Sequence, residues 1–468
     1  MANDAAAVLA DFTATFDVTR DAAFTEATLL DLIDTLACGA AGADAEGVRE
    51  LLSVTRDWGG KAEAALWFTG LRMPGPAAAL YNGMLSHAVE YDDTHDLGVL
   101  HAGVTVIPAV IAAAERRERL SGAELLSAIA TGVEVACRLA LATRIGPGVS
   151  GWLLTPLCGT FGAAAGAARA LGLDAERTVH AFGLAYAQVA GNGQATIDGG
   201  LSKRMQAGFA ARSGLLGAVL ASAGLTGARN VFEGTRGYYK VYHRGEYDRS
   251  ALVDGLGEKL AVGDLSYKPY PCCRWTHAAL EAAMDLRKRG VLPEKVARID
   301  VAVNHQAYMS TGQPLADKQR PANVVTSQFS IPYAVSLAFN QGRVGLDDFK
   351  PNAIARPHIV ALAERVSVGA IDDWSASGSR GISPARVSVM MHDGQHVESE
   401  VLVPTGTGRD SGTSGLIRRK LIDCCGHGGI ATAAASSLLA ELDALPSTAD
   451  AVPLFNRLPI VDAGRSDA

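Results

Sequence analysis

The chain has 468 residues, and its 42 lysines and arginines against 49 aspartates and glutamates give a formal net charge of −7 at pH 7. This balance provides no basic surface for a phosphate backbone, which excludes nucleic acid as an expected partner. Hydrophobic residues make up 48% and charged residues 19% of the sequence, as in a folded protein with a large core. The seven cysteines form two adjacent pairs and three singles, a pattern that predicts reduced thiols rather than disulfides or a zinc site.

The start of the chain is acidic and lacks an apolar core, so no signal peptide is predicted. Two long uncharged stretches, 145–168 and 213–228, are interrupted by proline or too short to cross a bilayer. We interpret both as buried helices and expect a cytoplasmic protein that does not associate with membranes.

Residues from about 20 to 265 show helical periodicity and little alternation with period two. Helices are predicted at 22–39, 121–142, 171–190 and 207–223. Ser121 and Glu124 form the pattern of a capping box at the second helix, and Asp174 is the expected N-cap of the third. This part of the chain is therefore predicted to be almost entirely helical.

The pattern changes near Leu265. Residues 296–304 alternate, and residues 386–392 and 395–401 flank an Asp-Gly turn, which predicts a strand and a β-hairpin. Further helices are predicted at 276–289, 328–339, 414–424 and 429–442, with a linker after Pro404. The predicted fold is mainly α: a large all-helical domain of residues 1–265 and 405–468, and a smaller α+β domain of residues 266–404.

The densest polar cluster extends from Asn82 to Asp96 and is followed by His101. Its carboxylates and histidines are suited to acid–base chemistry at neutral pH or to binding a hard metal ion. Asp92 to Asp96 also matches D-D-x-x-D, the magnesium–diphosphate motif of helical isoprenoid synthases. That alternative needs a second acidic motif and nearby cations, and the other Asp pair, at 372–373, lacks the required Ser and Glu. The cluster could also be the C-terminal end of a helix with solvent-exposed acidic side chains that have no function.

Two cationic clusters follow along the chain. Lys203 and Arg204 come after a Gly-Gly loop at a predicted helix start, where free backbone N–H groups favour binding of a carboxylate. Lys268, Arg274 and His277 lie in a loop stiffened by two prolines at the proposed domain junction, a common place for ligand sites. A surface cation pair and a packed hinge are the respective structural alternatives.

Five motifs in this order resemble the MmgE/PrpD family: NGMLSHAVEYDDTH with HAGVTVIPA, CGTFGAAAGAARALGL, LSKRMQAGFAARSGLLGA with EGTRGYY, KPYPCCRWTH, and QFSIPYAV. The family includes 2-methylcitrate dehydratase, cis-aconitate decarboxylase and iminodisuccinate epimerase. The resemblance implies a helical domain with a smaller α+β lid, usually in a homodimer. It also implies proton transfer beside a carboxylate of a small polycarboxylate substrate, with no metal and no organic cofactor.

The resemblance also implies that Asp93, His101, Lys203, Lys268 and His277 lie in the substrate pocket. The expected catalytic residues are Lys203, His101, His277 and Asp93, and the expected substrate-binding residues are Arg204, Lys268, Arg274, His95 and Gln206. Leu153 and Gln206 stand where family members often have histidine, so we expect a narrowed substrate range.

Our main hypothesis is a lyase of the 2-methylcitrate dehydratase type. Activities like those of cis-aconitate decarboxylase or iminodisuccinate epimerase remain open, because all three pass through a carbanion-like state beside a carboxylate. A metal-dependent hydratase and a non-catalytic, carboxylate-binding dimeric scaffold are further alternatives.

Overall fold

The computed structural model describes residues 4–371, 384–408 and 412–461. Helix accounts for 59% of the structure and strand for 9%, which confirms the mainly α prediction. The Asp pair at 372–373 and part of the linker after Pro404 lie outside the described residues.

The α-helices and β-strands follow one another along the chain with short connections. The helices are α1 Ala5–Thr15, α2 Ala22–Gly42, α3 Val48–Trp58, α4 Gly75–His87, α5 Gly103–Ala114, α6 Gly122–Ala142, α7 Pro147–Ser150, α8 Leu154–Ala170, α9 Ala175–Tyr186, α10 Gln194–Asp198, α11 Ser202–Ser222, α12 Tyr238–His243, α13 Arg249–Val253, α14 His277–Lys288, α15 His305–Ala307, α16 Leu315–Gln319, α17 Val324–Gln328, α18 Ile331–Gln341, α19 Pro351–Ile354, α20 Pro357–Ala363, α21 Thr413–His427, α22 Thr432–Asp443 and α23 Val452–Asn456. The strands are β1 Ala64–Leu66, β2 Leu71–Met73, β3 Val296–Val303, β4 Val366–Ala370, β5 Ala385–Met391 and β6 His396–Val401.

The chain divides into two compact units. The first comprises Met1–Gly193, Ser202–Tyr267 and Gly408–Ala468, and the second comprises Gln194–Leu201 and Lys268–Thr407. The domain boundaries expected from the sequence lie a few residues before those of the two units. Residues 194–201, which belong to the second unit, were expected in the first.

In the first unit, α8 packs against α5, α6 and α11, and α4 packs against α11. The contact between α4 and α11 depends on two glycines, because a Cβ added at Gly83 would lie only 2.7 Å from Cα of Gly208. Carbon atoms in contact are normally about 3.5–4.0 Å apart, so side chains at these positions would push the helices apart. The close approach brings the C-terminal end of α4 next to the N-terminal end of α11.

The expectation of an all-helical first unit is wrong at one place, because β1 and β2 form an antiparallel hairpin. Each strand has three residues, which is too short for alternation to be recognised in the sequence. Elsewhere the local signals are confirmed: Ser121 and Glu124 form the capping box of α6, and Asp174 caps α9. By length and composition α6 could cross a membrane, but 94% of its apolar window is buried inside the protein, as in a core helix.

The second unit is built on a four-stranded sheet with the order β4-β3-β5-β6. The β5–β6 hairpin is the one predicted from the Asp393-Gly394 turn, and β3 pairs antiparallel with β5. Strand β4 was not predicted and pairs parallel with β3 at the edge of the sheet. Helix α14 packs against β5 and β6, and α18 packs against α14 and β4, so apolar side chains of the strands and helices form a common core.

Candidate active site

A chain of buried polar side chains extends from Lys203 to His101 in the first unit. Lys203 Nζ lies 2.8 Å from His87 Nε2 and also forms an ion pair with Glu90. His87 Nδ1 lies 2.9 Å from Asp92 Oδ2, and the same carboxylate oxygen lies 3.1 Å from His101 Nδ1. The glycine contact between α4 and α11 explains how His87 and Lys203, which are 116 residues apart in the chain, come within hydrogen-bond distance.

The ammonium group of Lys203 fixes the direction of these hydrogen bonds. An ammonium can only donate, so His87 Nε2 accepts and the hydrogen of the neutral ring is on Nδ1, which donates to Asp92. Burial lowers the pKa of His87 below its ordinary value, in agreement with a neutral ring at pH 7. His87 therefore connects a cation on one side with a carboxylate on the other.

His101 is held through one of its ring nitrogens. Nδ1 lies 2.6 Å from the backbone oxygen of Asp93 and 3.1 Å from Asp92 Oδ2, and both of these atoms accept hydrogen bonds. Nδ1 therefore carries a hydrogen, and the lone pair of the neutral ring is on Nε2. The side chain is 18% exposed, so His101 is the most accessible of the residues in this chain of contacts.

Asp93 fixes the N-terminal end of α5 rather than pointing to solvent. Its carboxylate accepts hydrogen bonds from the backbone N–H groups of Ala102 at 3.0 Å and Gly103 at 3.2 Å. Burial and the neighbouring Asp92 raise the pKa of Asp93 to about 7. Because its backbone oxygen also holds His101, Asp93 positions the loop that carries the histidine.

Asp31 of α2 is a second buried carboxyl group near Asp93. Neither of its carboxyl oxygens has a hydrogen-bond partner among the described residues. A Cβ added at Gly103 would lie 2.8 Å from Asp31 Oδ1 and 2.9 Å from Asp93 Oδ1, so only glycine fits between the two acids. Burial, and then the charge of Asp93, raise the pKa of Asp31 well above its usual range, so we expect an uncharged carboxylic acid at neutral pH.

Glu90 has an unusual backbone conformation, with φ at +53° in the left-handed region. Residues other than glycine rarely adopt this conformation, and when they do they are often found at functional sites. In this conformation the buried carboxylate of Glu90 forms an ion pair with Lys203.

The C-terminal segment of the chain contributes a second buried cation to the first unit. Lys420 Nζ of α21 donates to Asp34 Oδ1 at 2.7 Å and lies 3.8 Å from the centre of the Tyr91 ring. Burial acts to lower the pKa of Lys420, but the neighbouring acidic groups, Asp34 first among them, together raise this pKa above its ordinary value. These contacts fix the backbone directly before Asp92.

Two predicted substrate-binding residues of the first unit contact the protein itself. Arg204 donates to the backbone oxygen of Glu46 at 3.2 Å, and burial lowers the pKa of its guanidinium. His95 Nδ1 accepts from the backbone N–H of Gly98 at 3.0 Å, and burial lowers the pKa of this histidine. Both side chains stabilise local backbone, and their binding of a substrate remains a prediction.

Gln206, which stands where family members often have histidine, holds a loop. Its side-chain oxygen accepts from the backbone N–H of Asn192 at 2.7 Å, and its side-chain nitrogen donates to the backbone oxygen of the same residue at 3.1 Å. The other departure, Leu153, comes directly before α8. Gln206 therefore positions backbone as well as changing the polarity at its site.

The predicted residues of the second unit form a group of their own. Arg274 donates to the backbone oxygen of Thr405 at 2.8 Å and lies 3.2 Å from His277 Nδ1. His277 Nε2 lies 3.2 Å from the backbone oxygen of Cys272, so both ring nitrogens have partners inside the unit. Lys268, the first residue of the long segment of this unit, is buried. The catalytic and binding roles of these residues remain predictions.

Among the residues that the structure describes, His87, Asp92 and His101 lie close enough together to be considered as metal ligands, with their ligand atoms within 4.8 Å of one another. The hydrogen bonds do not favour a metal, because His87 uses both ring nitrogens, one for Lys203 and one for Asp92. A metal ion would have to displace a hydrogen and bind beside an ammonium group, so this donor set does not fit a metal in the observed arrangement.

His87, Glu90 and Asp92 were not predicted as site residues, although all three lie in the polar cluster that extends from Asn82 to Asp96. The missing information was the packing of α4 against α11. Gly83 lies four residues before His87, and Gly208 lies five residues after Lys203, and this pair of glycines is the signal in the sequence for a close contact between the two helices.

The fold and the site define a mainly helical protein in which a lysine, two histidines and several carboxyl groups form a buried acid–base network. The MmgE/PrpD N-terminal domain matches residues 7–250, and the MmgE/PrpD C-terminal domain matches residues 270–443. The chain belongs to the MmgE/PrpD family.

Several proteins are similar to the chain over most of its length. A cis-aconitate decarboxylase-like protein, oryM, of Aspergillus oryzae is 28% identical over 80% of this chain and 81% of its own length. The cis-aconitate decarboxylase of Aspergillus terreus is 29% identical over 80% of both chains. The cis-aconitate decarboxylase of Homo sapiens is 26% identical over 78% of this chain and 75% of its own length. These similarities support a lyase activity.

Proposed function

We propose that the protein is a carboxy-lyase that removes carbon dioxide from an unsaturated tricarboxylate such as cis-aconitate. The observation that carries the proposal is the similarity, over about four-fifths of the chain, to proteins named cis-aconitate decarboxylase. The same similarities give less support to our first hypothesis, dehydration of a 2-methylcitrate-like substrate, which becomes the alternative.

The proposed reaction needs a positive charge and a proton donor. The carbon–carbon bond to one carboxylate breaks, carbon dioxide leaves, and the electron pair moves through the adjacent double bond to a carbon beside another carboxylate. That carbon then takes one proton from the protein. A fixed cation stabilises the negative charge that develops on the remaining carboxylate, and this electrostatic contribution is usually large.

The network in the first unit supports these requirements. Lys203 forms an ion pair with Glu90 and is suited to deliver the proton or to stabilise the developing charge. His101 is oriented by Asp92 and by the backbone of Asp93, so its Nε2 is the second candidate for proton transfer. These two residues are the ones that we assign to the chemistry of the proposed reaction.

The proposal is tested by proton NMR in deuterated water with cis-aconitate, citrate and 2-methylcitrate as separate substrates. Decarboxylation consumes cis-aconitate, releases carbon dioxide and places one deuterium on carbon in the product. Dehydration would instead consume one of the two hydroxy acids and leave the number of carboxylates unchanged. Turnover of 2-methylcitrate without turnover of cis-aconitate would overturn the proposal, and treatment with a chelator before the assay tests the metal-dependent alternative.

Replacement of Lys203 tests its assigned role. If Lys203 delivers the proton, both Lys203→Ala and Lys203→Arg should lower kcat by about 100-fold or more, the usual size of a general-acid contribution. If it only holds a carboxylate, Lys203→Arg should keep kcat and raise KM, because arginine keeps the charge but hardly releases a proton.

Lys240→Arg is the matched control, because Lys240 is an exposed lysine on α12 and its replacement should change neither constant. Circular dichroism should show the wild-type fold in each variant, but Lys203→Ala should lower Tm because it leaves the buried carboxylate of Glu90 without its cation. A normal kcat for Lys203→Ala would remove Lys203 from the mechanism.

A further inference from the structure

The contacts of His87 are suited to passing a proton as well as to holding Lys203 in position. The ring lies between Lys203 Nζ at 2.8 Å and Asp92 Oδ2 at 2.9 Å, and each of its nitrogens faces one of these groups. The side chains of His87, Asp92 and Lys203 are 3%, 0% and 8% exposed, so bulk water has little access to the two hydrogen bonds. Such an arrangement can carry a proton through an imidazole ring without forming a charged histidine for long.

We propose that His87 passes a proton from Lys203 to Asp92, and that the protein therefore also catalyses exchange of hydrogen at a carbon beside a carboxylate. This inference rests on the proposed function, because it assumes that Lys203 faces the reacting carbon. The transfer has two steps. The Nζ–H bond breaks as an Nε2–H bond forms, and the Nδ1–H bond breaks as an Oδ2–H bond forms.

The total charge and the number of protons on the three residues are the same before and after the transfer. Lys203 changes from an ammonium to an amine, Asp92 changes from a carboxylate to a carboxylic acid, and His87 is neutral before and after but has exchanged its Nδ1 hydrogen for an Nε2 hydrogen. The lowered pKa of His87, which results mainly from burial, agrees with this neutral ring. Glu90 forms an ion pair with the ammonium form of Lys203.

The two forms of Lys203 have different chemistry. The ammonium donates a proton to carbon, which is all that decarboxylation requires. The amine is a base and can remove a proton from a carbon beside a carboxylate, and the reverse transfer returns a hydrogen to the same carbon. In deuterated water, this cycle replaces hydrogen by deuterium without any net reaction.

The probe is propane-1,2,3-tricarboxylate, a saturated acid that has no double bond and therefore cannot undergo the proposed decarboxylation. Its competitive inhibition of cis-aconitate turnover shows that it occupies the site. With the wild type in deuterated water, we expect its proton NMR signals beside the carboxylates to disappear over time. Absence of exchange at an inhibiting concentration would overturn the proposal.

His87→Gln separates passage of the proton from support of Lys203. The glutamine amide can accept from Lys203 with its oxygen and donate to Asp92 with its nitrogen, but it cannot pass a proton between them. We expect exchange to fall by about 100-fold or more, whereas decarboxylation should stay within about fivefold of the wild type, the equivalent of one imperfect hydrogen bond. An equal loss of both activities would show that His87 only positions Lys203 and would overturn the proposal.

Asp92→Asn is a second, independent test, because an asparagine still accepts a hydrogen bond from His87 but cannot take up its proton. We again expect a larger loss of exchange than of decarboxylation. His243→Gln is the matched control, since His243 is another buried histidine, 3.1 Å from the hydroxyl of Tyr238 and outside the network. It should leave the ratio of the two activities unchanged, and undiminished exchange in both network variants would overturn the proposal.

Discussion

Replacement of Gly83 by alanine should test whether the contact between α4 and α11 builds the site. The added methyl group would lie 2.7 Å from Cα and 3.0 Å from the backbone nitrogen of Gly208, and both atoms belong to the backbone and cannot turn away. Normal carbon contacts require about 3.5–4.0 Å, so the helices must separate by about 1 Å. Such a shift would lengthen the 2.8 Å contact between Lys203 Nζ and His87 Nε2 beyond hydrogen-bond distance.

The size of the effect follows from two opposing contributions. Overpacking of a core costs about 1–3 kcal/mol, and replacement of a helical glycine by alanine recovers about 0.5–1 kcal/mol. We therefore expect Gly83→Ala to lower the free energy of unfolding by about 1–2 kcal/mol. The displaced lysine should lower kcat by about 100-fold, as expected for a 1 Å error in the position of a catalytic group.

The measurements are denaturant unfolding and steady-state kinetics with cis-aconitate. Gly426→Ala is the matched control, because Gly426 also lies in a helix, α21, but a methyl group there would meet no atom within 4 Å. This control should be slightly more stable than the wild type and should keep its kcat. Wild-type stability and kcat in Gly83→Ala would refute the argument that this contact fixes the site.

Three further predictions follow from the same structure and sequence. Burial raises the pKa of Asp31 in the folded chain, so its contribution to stability is complete below the pKa of about 3.9 in the unfolded chain and is lost as the pH rises through the folded pKa. The Tm of Asp31→Asn should therefore rise relative to that of the wild type between about pH 5 and about pH 8. Asp11→Asn, at an exposed position, should show no such trend. A difference in Tm between Asp31→Asn and the wild type that does not change with pH would contradict this prediction. The double change Leu153→His, Gln206→His should raise kcat/KM for a tricarboxylate more than for smaller acids, and an unchanged ratio would show that these positions do not set specificity. We also propose a homodimer, as the resemblance to the MmgE/PrpD family implies; sedimentation should give twice the chain mass of 48.6 kDa, and a fully active monomer would contradict this.

The sequence predicts the local parts of the fold well. The capping box of α6, the N-cap of α9 and the β5–β6 turn depend on residues that are two to four positions apart, so their patterns can be read directly. Strand β4 pairs with β3, which lies more than sixty residues earlier, and no local pattern indicates that pairing. The short strands β1 and β2 offer too few residues for a pattern at all.

In the candidate site, too, local patterns can be read from the sequence and contacts between distant segments cannot. The sequence indicates the residue types, and in the first unit His101 contacts Asp93 while Lys203 contacts His87. It does not indicate which side chain connects them, because that depends on the approach of two helices at their glycines. The connecting residue, His87, would be found only by aligning the faces of α4 and α11, which requires the contact to be known.

The pairing of charges explains why the first unit is assembled from distant segments of the chain. Lys203 is paired with Glu90, and Lys420 with Asp34, a residue 386 positions earlier in the chain. Removing one partner from a buried ion pair costs about 3–5 kcal/mol, because the remaining charge is left without compensation. Helix α21 is therefore needed in its position because it carries Lys420. Without Lys420, the charge of Asp34 would not be balanced. The charge of Asp34 already helps to raise the pKa values of the nearby acids Asp31 and Asp93. The C-terminal segment thus contributes to the acid–base network through charge, although none of its residues is assigned to the chemistry.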